Sequence, residues 1–416
     1  MDRRERYRRI TNFQEADRVP IDMGSHVASI HRFTYRKLLD HLQDPELKGK
    51  EEIVLDRMVQ NVIPDEKVLQ RYGIDFRWIA PNWIDMSDVR DDIYRDMWGI
   101  EWQYMLDAYS VYSSPLSGDD VTLDSIERHP WPDPEDPRLV EGLSERAEHY
   151  YKNTDYVLVG DSIKGGILTK ALQIRGYEYM FADLANNLEF AEALMDKLLD
   201  VYKAFWSSFL KAVGPYIQTV YFTDDIGGQS SMMISPDTFR TLVQPRIGAL
   251  IDHIKSEADV KFMYHTDGTV TPVVEDIIKM GVDILNPIQT SALGMDTNVL
   301  KELYHGRLCF HGAIDVQKML PFESVEGVRY DVARRLYDLG RGGGYILAPC
   351  HNIGSDVPVK NMEAMYEAAH ELGQYPLDLE HILKPEHLRK PTQEEIAAQA
   401  APAKRQRRPR KGRSDA

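Results

Sequence analysis

The sequence is poor in cysteine: 416 residues hold only Cys309 and Cys350. Two thiols exclude a disulfide-stapled scaffold and fit a reducing compartment. Long apolar runs are missing too, and nothing approaches the roughly 18 consecutive residues that a membrane-spanning helix needs. The opening MDRRERYRRI is charged where a secretory leader would be apolar. Positive charge is scarce outside one place. There are 50 Lys and Arg against 66 Asp and Glu, a net charge of −16, yet residues 404–416 alone carry +6, which leaves −22 on the remaining 403. A body that acidic repels a phosphate backbone and excludes nucleic acid as partner of the folded part. The expectation is a soluble cytoplasmic protein with no membrane partner, acting on a small molecule.

What is present is a rhythm of short apolar runs and amphipathic stretches. Candidate strands are 19–23, 74–79, 156–160, 219–223, 261–265, 282–287, 308–312 and 345–349. Between them, stretches such as TPVVEDIIKMG and VEGVRYDVARRLYDLG carry apolar residues at three- and four-residue steps and end in Gly. Apolar strands alternating with helices imply a parallel sheet covered by helices, and eight of them suggest a closed (β/α)8 TIM barrel forming a single domain over residues 1–390. The competing open, doubly wound sheet is weakened by MGSHVAS after the first run, where a Gly-rich phosphate turn would stand. Residues 91–115, rich in Tyr and Trp with period-two stretches, read as an antiparallel insertion that folds over the barrel mouth or packs as core. From residue 391 the composition turns to a basic, disordered tail, 391–416.

A (β/α)8 barrel places its chemistry at the C-terminal strand ends. Reactive residue types collect there: Asp161 after YVLVG, Asp224, Asp225 and Gln229 after TVYFT, His265 and Asp267 closing KFMYHTD. Asn286 and Gln289 follow VDIL, His311 and Asp315 follow LCF, and Cys350 and His351 follow YILAP. Each alone has an ordinary reading: an Asp pair caps a turn, a strand-end His is hydrogen-bonded, and Cys309 is core. His265 and Asp267, two apart in extended backbone, point to the same side. They could converge on a metal ion with Cys350 or His351 closing a three-ligand site, or form a metal-free His–Asp hydrogen bond.

The ordered segments RVPIDM, YGIDFRWIAPNW, YRDMWGIEW, TDDIGGQSSMMISPDTFRTLVQPRIGALIDHIK, YHTDGTVTPVVEDIIKMGVDILNPIQ, LCFHGAIDVQKMLP and GGGYILAPCHNIGSDVPVKNMEAMYEAA span about residues 8–373. Through them the chain resembles the uroporphyrinogen decarboxylase superfamily, which includes zinc-dependent methyltransferases acting on methyl-corrinoids. The resemblance implies a (β/α)8 barrel. The decarboxylases carry an arginine-bearing MRQAGR-type segment after the first strand. Here it reads Met23-Gly24-Ser25-His26-Val27-Ala28, so the arginine positions fall on Gly24 and Ala28. A tetrapyrrole with eight carboxylates needs cationic partners, so this loss argues against that substrate. The decarboxylases' essential Asp has no secure match either, and Asp65 is the nearest acid. The methyltransferases hold zinc by HxC and a later Cys. Here these positions read His265-Thr-Asp267 and His351, with Cys350 one residue earlier.

By this resemblance the expected reaction is methyl transfer from a methyl-corrinoid to a thiol or related acceptor, with zinc on His265, Asp267 and Cys350 or His351. The chain has no DxHxxG cobalamin signature, so a separate corrinoid protein would present that cofactor. The alternative is metal-independent and cofactor-free decarboxylation of a tetrapyrrole or a smaller acid, and His351 stands where the decarboxylases have a histidine. A third reading is a non-catalytic corrinoid or tetrapyrrole carrier. Asp224, Asp225, Asp267, His311 and His351 are the catalytic candidates. Arg77, Asn82, Asp161, Gln229, Asn286, Gln289 and Asp315 are the candidates for contacting substrate or a partner's cofactor. Members of the superfamily often dimerise, so a homodimer is a further expectation.

Overall fold

The computed structural model describes residues 1–400 except 25, 83, 85, 86 and 162. The basic run at 404–416, expected as a solvated tail, lies outside the described residues. Seven parallel strands follow one another in chain order around one curled sheet: β1 (Phe76–Ile79), β2 (Val157–Gly160), β3 (Thr219–Thr223), β4 (Lys261–His265), β5 (Ile284–Asn286), β6 (Cys309–Ile314) and β7 (Tyr345–Pro349). Alternation along each strand decides which side chains face inward. In β4, Met263 joins an inner cluster with Phe76, Val157, Tyr221, Ile284 and Ile346, whereas Phe262 and Tyr264 join the layer between sheet and helices. Cys309 belongs to the inner cluster, as expected of a core thiol.

The eighth barrel position belongs to residues 20–22. On one side the Leu347 N–H donates to the Pro20 carbonyl and the Asp22 N–H to the Leu347 carbonyl, both at 2.9 Å. On the other side the Asp75 N–H donates to the Ile21 carbonyl at 3.0 Å. Here a single bridge replaces a ladder, because Pro20 has no N–H to give. All eight expected strand positions are thus staves of a (β/α)8-type barrel. The covering helices bury periodic apolar stripes. In α2 (Leu188–Val213), Phe190, Leu194, Leu198, Tyr202, Phe205 and Phe209 are all buried. No described helix is long and apolar enough to cross a membrane.

The aromatic insertion is a four-stranded antiparallel sheet, Ser87–Arg90, Ile93–Arg95, Glu101–Met105 and Ala108–Ser113. It is tied down by the Tyr109 N–H on the Met58 carbonyl at 2.7 Å and by Ser355 Oγ on Asp107 at 2.8 Å. Tyr94, Trp98 and Trp102 are buried beneath it and share a cavity with the ends of β3 and β4, so the insertion roofs the barrel mouth.

One boundary moves. Residue 391 does not end the ordered part, because a helix, Gln393–Ala400, follows it. Thr392 and Glu395 cap that helix reciprocally: the Glu395 N–H donates to Thr392 Oγ1 at 3.2 Å, and the Thr392 N–H to Glu395 Oε2 at 2.7 Å. Gln399 then docks on Asp296 through two hydrogen bonds. A reading that looks for large apolar residues misses a helix held by caps and amides.

Candidate functional site

The loops after β3 and β4 bring the site together. Gly227 and Gly268 let their backbones touch: a Cβ on Gly227 would lie 2.3 Å from the Asp267 carbonyl, and one on Gly268, at φ +84°, would lie 2.6 Å from the backbone of Gly227 and Gly228. This contact sets Asp225 beside Asp267, and the Asp267 N–H donates to Asp225 Oδ1 at 2.9 Å. His265 Nε2 lies 3.7 Å from Asp225 Oδ1 and 3.9 Å from Asp267 Oδ2, and His351 Nε2 lies 3.9 Å from the same Asp267 oxygen. One donor atom each from His265, Asp267 and His351 falls within 4.8 Å of the other two. Burial, then the neighbouring Asp267 charge, pushes the Asp225 carboxyl up from its ordinary value.

The orientation of His265 is dictated from inside the barrel. Its Nδ1–H donates to Asn286 Oδ1 at 2.5 Å, Asn286 Nδ2 donates to His311 Nδ1 at 2.6 Å, and His311 Nε2–H donates to Asp22 Oδ2 at 3.0 Å. Trp78 Nε1 donates to the Asp22 carboxylate, at 3.2 Å to Oδ1. An amide has one donor and one acceptor side, so this chain fixes both imidazole tautomers. His265 Nε2 is thereby aimed at two carboxylate oxygens, Asp225 Oδ1 and Asp267 Oδ2. A histidine whose second nitrogen is anchored by a buried hydrogen bond is the usual form of a metal-ligating imidazole.

Two hollows meet at this cluster. One, of about 150 Å³, is roofed by the insertion; it is lined by Tyr94, Trp98 and Trp102 and reaches Asp225, His265 and His351. The other, of about 350 Å³, is lined by Gly227, Gly228, Asp267, Gln289, Asp315 and His351. His351 lines both, while His265 faces the first and Asp267 the second.

Several expected site residues lie elsewhere or act indirectly. Asp224 takes the backbone N–H groups of Leu168 and Thr169 at 2.9 and 2.7 Å and so caps α1 (Ile167–Arg175). It is fully buried, burial pushes its carboxyl up to about 7, and it lines neither hollow. His311 is also fully buried and positions Asn286 and His265. Arg77 turns outward from β1 onto Glu66 at 2.7 Å and stacks on the Tyr156 ring at 3.6 Å, and Asn82 Nδ2 holds the Arg138 and Glu141 carbonyls. Both line a different cavity, because Arg77 sits at an outward-facing strand position. Asp161 is buried against His26, with 2.5 Å between carboxylate and Nδ1, and His26 faces the roofed hollow in its place.

Cys350 does not join the donor set. Its Sγ–H donates to the Ile288 carbonyl at 3.1 Å, and burial pushes the thiol up to about 12. Cys350 does border the open hollow, but its thiol is turned onto that carbonyl, so the donor set takes His351. Gln229, Gln289 and Asp315 do line the open hollow. The last two are engaged with backbone: Gln289 Oε1 accepts from the Gly268 N–H, and Asp315 Oδ1 from the Gln317 N–H.

The sequence reading missed most of the roofed hollow's other polar groups, among them Asp56, Lys164 and Lys170. Lys164 pairs with Asp56, and burial lowers its ammonium well below the ordinary lysine value. Lys170 looks like the solvated face of a helix in sequence, yet it is 2% exposed. The one signal was local: in KGGILTKA the first turn of α1 follows two glycines in the loop after a strand, where a barrel loop reaches the mouth.

A parallel barrel with histidines and carboxylates converging at its C-terminal strand ends has the layout of a TIM-barrel enzyme. Residues 121–372 match the uroporphyrinogen decarboxylase (URO-D) family, and the chain belongs to that family. It is 24% identical over 290 residues to the uroporphyrinogen decarboxylase of Alkalilimnicola ehrlichii, covering 67% of this chain and 73% of that protein. The fold is similar to that of a methyltransferase from Methanosarcina mazei, with a TM-score of 0.60 at 16% identity, covering 89% of this chain and 99% of the other. The relatives thus carry names for two different reactions on one fold.

Proposed function

We propose that the chain is a metal-assisted methyltransferase that moves a methyl group between a small molecule in the roofed hollow and a corrinoid presented in the open hollow by a separate protein. The observation that carries this reading is the donor set at the junction. Two histidines and a carboxylate are a recognised catalytic zinc set, with the fourth position left to substrate. Zinc–ligand bonds of about 2.0–2.2 Å put neighbouring donors some 3.3–3.5 Å apart. The 3.9 Å separations of Asp267 from both histidines need only a slight contraction to reach that. The Asn286–His311–Asp22 chain anchors His265 through Nδ1 and leaves Nε2 directed at the carboxylates, the orientation such a ligand requires.

Zinc bound there would supply Lewis acidity, lowering the pKa of a substrate thiol or polarising a methyl-bearing heteroatom. The chain's own residues do the rest. His265 and His351 fix the reacting group at the junction, and Asp225, held protonated more readily than an ordinary aspartate, can pass a proton to it or take one from it. Tyr94, Trp98 and Trp102 exclude water on the substrate side. Decarboxylation is favoured as a second reading by one observation, the raised Asp225 carboxyl. A general acid in that position could protonate a carbanion-like product without metal.

The test is zinc content and methyl transfer measured together. Anaerobically purified chain should hold one zinc and transfer methyl from methylcobalamin to a small thiol or from a methylated substrate to cob(I)alamin. His265→Ala should lose both. No zinc in the wild type, with carbon dioxide released from an acid substrate, would overturn the reading in favour of the second.

A further inference from the structure

Lys170 is the unusual group of the roofed hollow. It lies in the first turn of α1, whose N-terminus Asp224 holds by two backbone hydrogen bonds. Its stem runs over Gly165, where an added Cβ would come within 2.7 Å of Lys170 Cε, and its Nζ stands 5.1 Å above the Trp98 ring. Among the described residues no carboxylate or carbonyl makes an ion pair or hydrogen bond with Nζ, and the ring face is its one direct partner. The other charged groups nearby are already engaged. Asp56 is paired with Lys164, and Asp96 takes the N–H groups of Trp98 and Ile100 and the indole of Trp102 at 2.9–3.0 Å. Arg57 is paired with Asp88 at 2.7 Å and lies on the Tyr94 ring. Asp225 and His26 also face the hollow; Asp225 sits beside His265, and His26 is held by Asp161.

A buried cation with no direct ion pair is costly, and burial, opposed by the Asp96 charge, lowers this lysine to about 8. The cost is already incurred in the unliganded protein, so an anion that reaches Nζ gains a charge-assisted hydrogen bond with the lysine's desolvation behind it. Size narrows the choice. A volume of about 150 Å³ equals that of an engineered apolar cavity that holds benzene. Indole and phenol walls favour a flat or apolar body.

We propose that the roofed hollow binds a small monocarboxylate with a body of about one ring, its carboxylate on Lys170 Nζ. As a statement about the substrate this rests on the proposed function, in which this hollow is the substrate side. As a statement about binding it is independent of turnover.

The experiment is calorimetric titration of the full-length chain, as purified and after metal chelation, with benzoate and with its neutral isostere benzamide. Benzoate should bind about tenfold or more tightly than benzamide, with or without metal. In Lys170→Met, and in Lys170→Gln as a second variant that keeps a polar end, the two affinities should become equal. Equal affinities in the wild type, no binding of benzoate, or an unchanged preference in both variants would overturn the proposal. Failure of methyl transfer with benzoate preference intact would sink the proposed reaction and leave this site standing.

Discussion

Two clusters of acid lie at opposite ends of the barrel, and they are built differently. At the N-terminal end, Asp75 is 1% exposed and every oxygen is used. Arg6 and Arg18 donate three hydrogen bonds at 2.7–2.8 Å, and the Ile21 N–H donates a fourth at 2.8 Å. At the C-terminal end, Asp225 and Asp267 meet histidines at 3.7–3.9 Å and, among the described residues, no lysine or arginine. The first cluster ties the closing segment 20–22 and the N-terminal helix Arg3–Thr11 to β1. The second sets two carboxylates and two imidazoles near one another at longer range, with the Asp267 N–H on Asp225 Oδ1 at 2.9 Å. A carboxylate saturated by short ion pairs holds a fold together, and a loosely paired cluster of titratable groups is held in place by the fold for chemistry.

Substitutions can break that contrast. The largest effect falls on His265→Ala, which should lose metal and at least about a thousandfold in methyl transfer while still unfolding in one cooperative transition, read by metal analysis beside a melting curve. Next comes Asp75→Ala, which leaves Arg6 and Arg18 buried without their counter-ion. It should cost about 3–5 kcal/mol in urea unfolding. Asp225→Asn in the same assay should stay within about 1 kcal/mol, because the amide oxygen can still accept the Asp267 N–H and no short ion pair is lost. A large loss in Asp225→Asn would mean that the upper cluster is structural after all. Asn286→Leu should keep the fold but release His265 from its tautomer, weakening zinc binding by about 10–100-fold in a competition titration.

The smallest effect concerns pH. Lys170, lowered to about 8, carries its charge below that value and loses it above. Benzoate affinity should therefore be flat towards pH 7 and fall as pH rises through about 8, approaching tenfold per unit. Benzamide affinity should not move. A benzoate profile flat to pH 10 would remove Lys170 as the anchor.

The barrel was legible because its strands are apolar on both faces and its helices periodic: 261–265 and 345–349 are strands at the bounds expected. The closing segment was legible as a strand but not as a single bridge, which depends on Pro20. Of the site, His265, Asp267 and His351 could be read from strand ends. Cys350 could not be separated from His351 until the fold turned its thiol onto the Ile288 carbonyl. Arg77 and Asn82 misled because charge and amide at a strand end say nothing about the face they occupy. Lys170, Asp56 and the Asp22–Asn286–His311 chain stayed hidden because their partners come from four or more separate segments, and only folding brings them together.

The most direct test of the central claim is zinc K-edge X-ray absorption on the anaerobically purified chain. The account predicts a first shell of nitrogen and oxygen at about 2.0–2.2 Å with imidazole scattering from two histidines and no sulfur at about 2.3 Å unless a thiol substrate is added. A sulfur neighbour in the substrate-free protein would put Cys350 in the site and contradict the His265–Asp267–His351 assignment, and a spectrum without bound zinc would contradict the metal altogether.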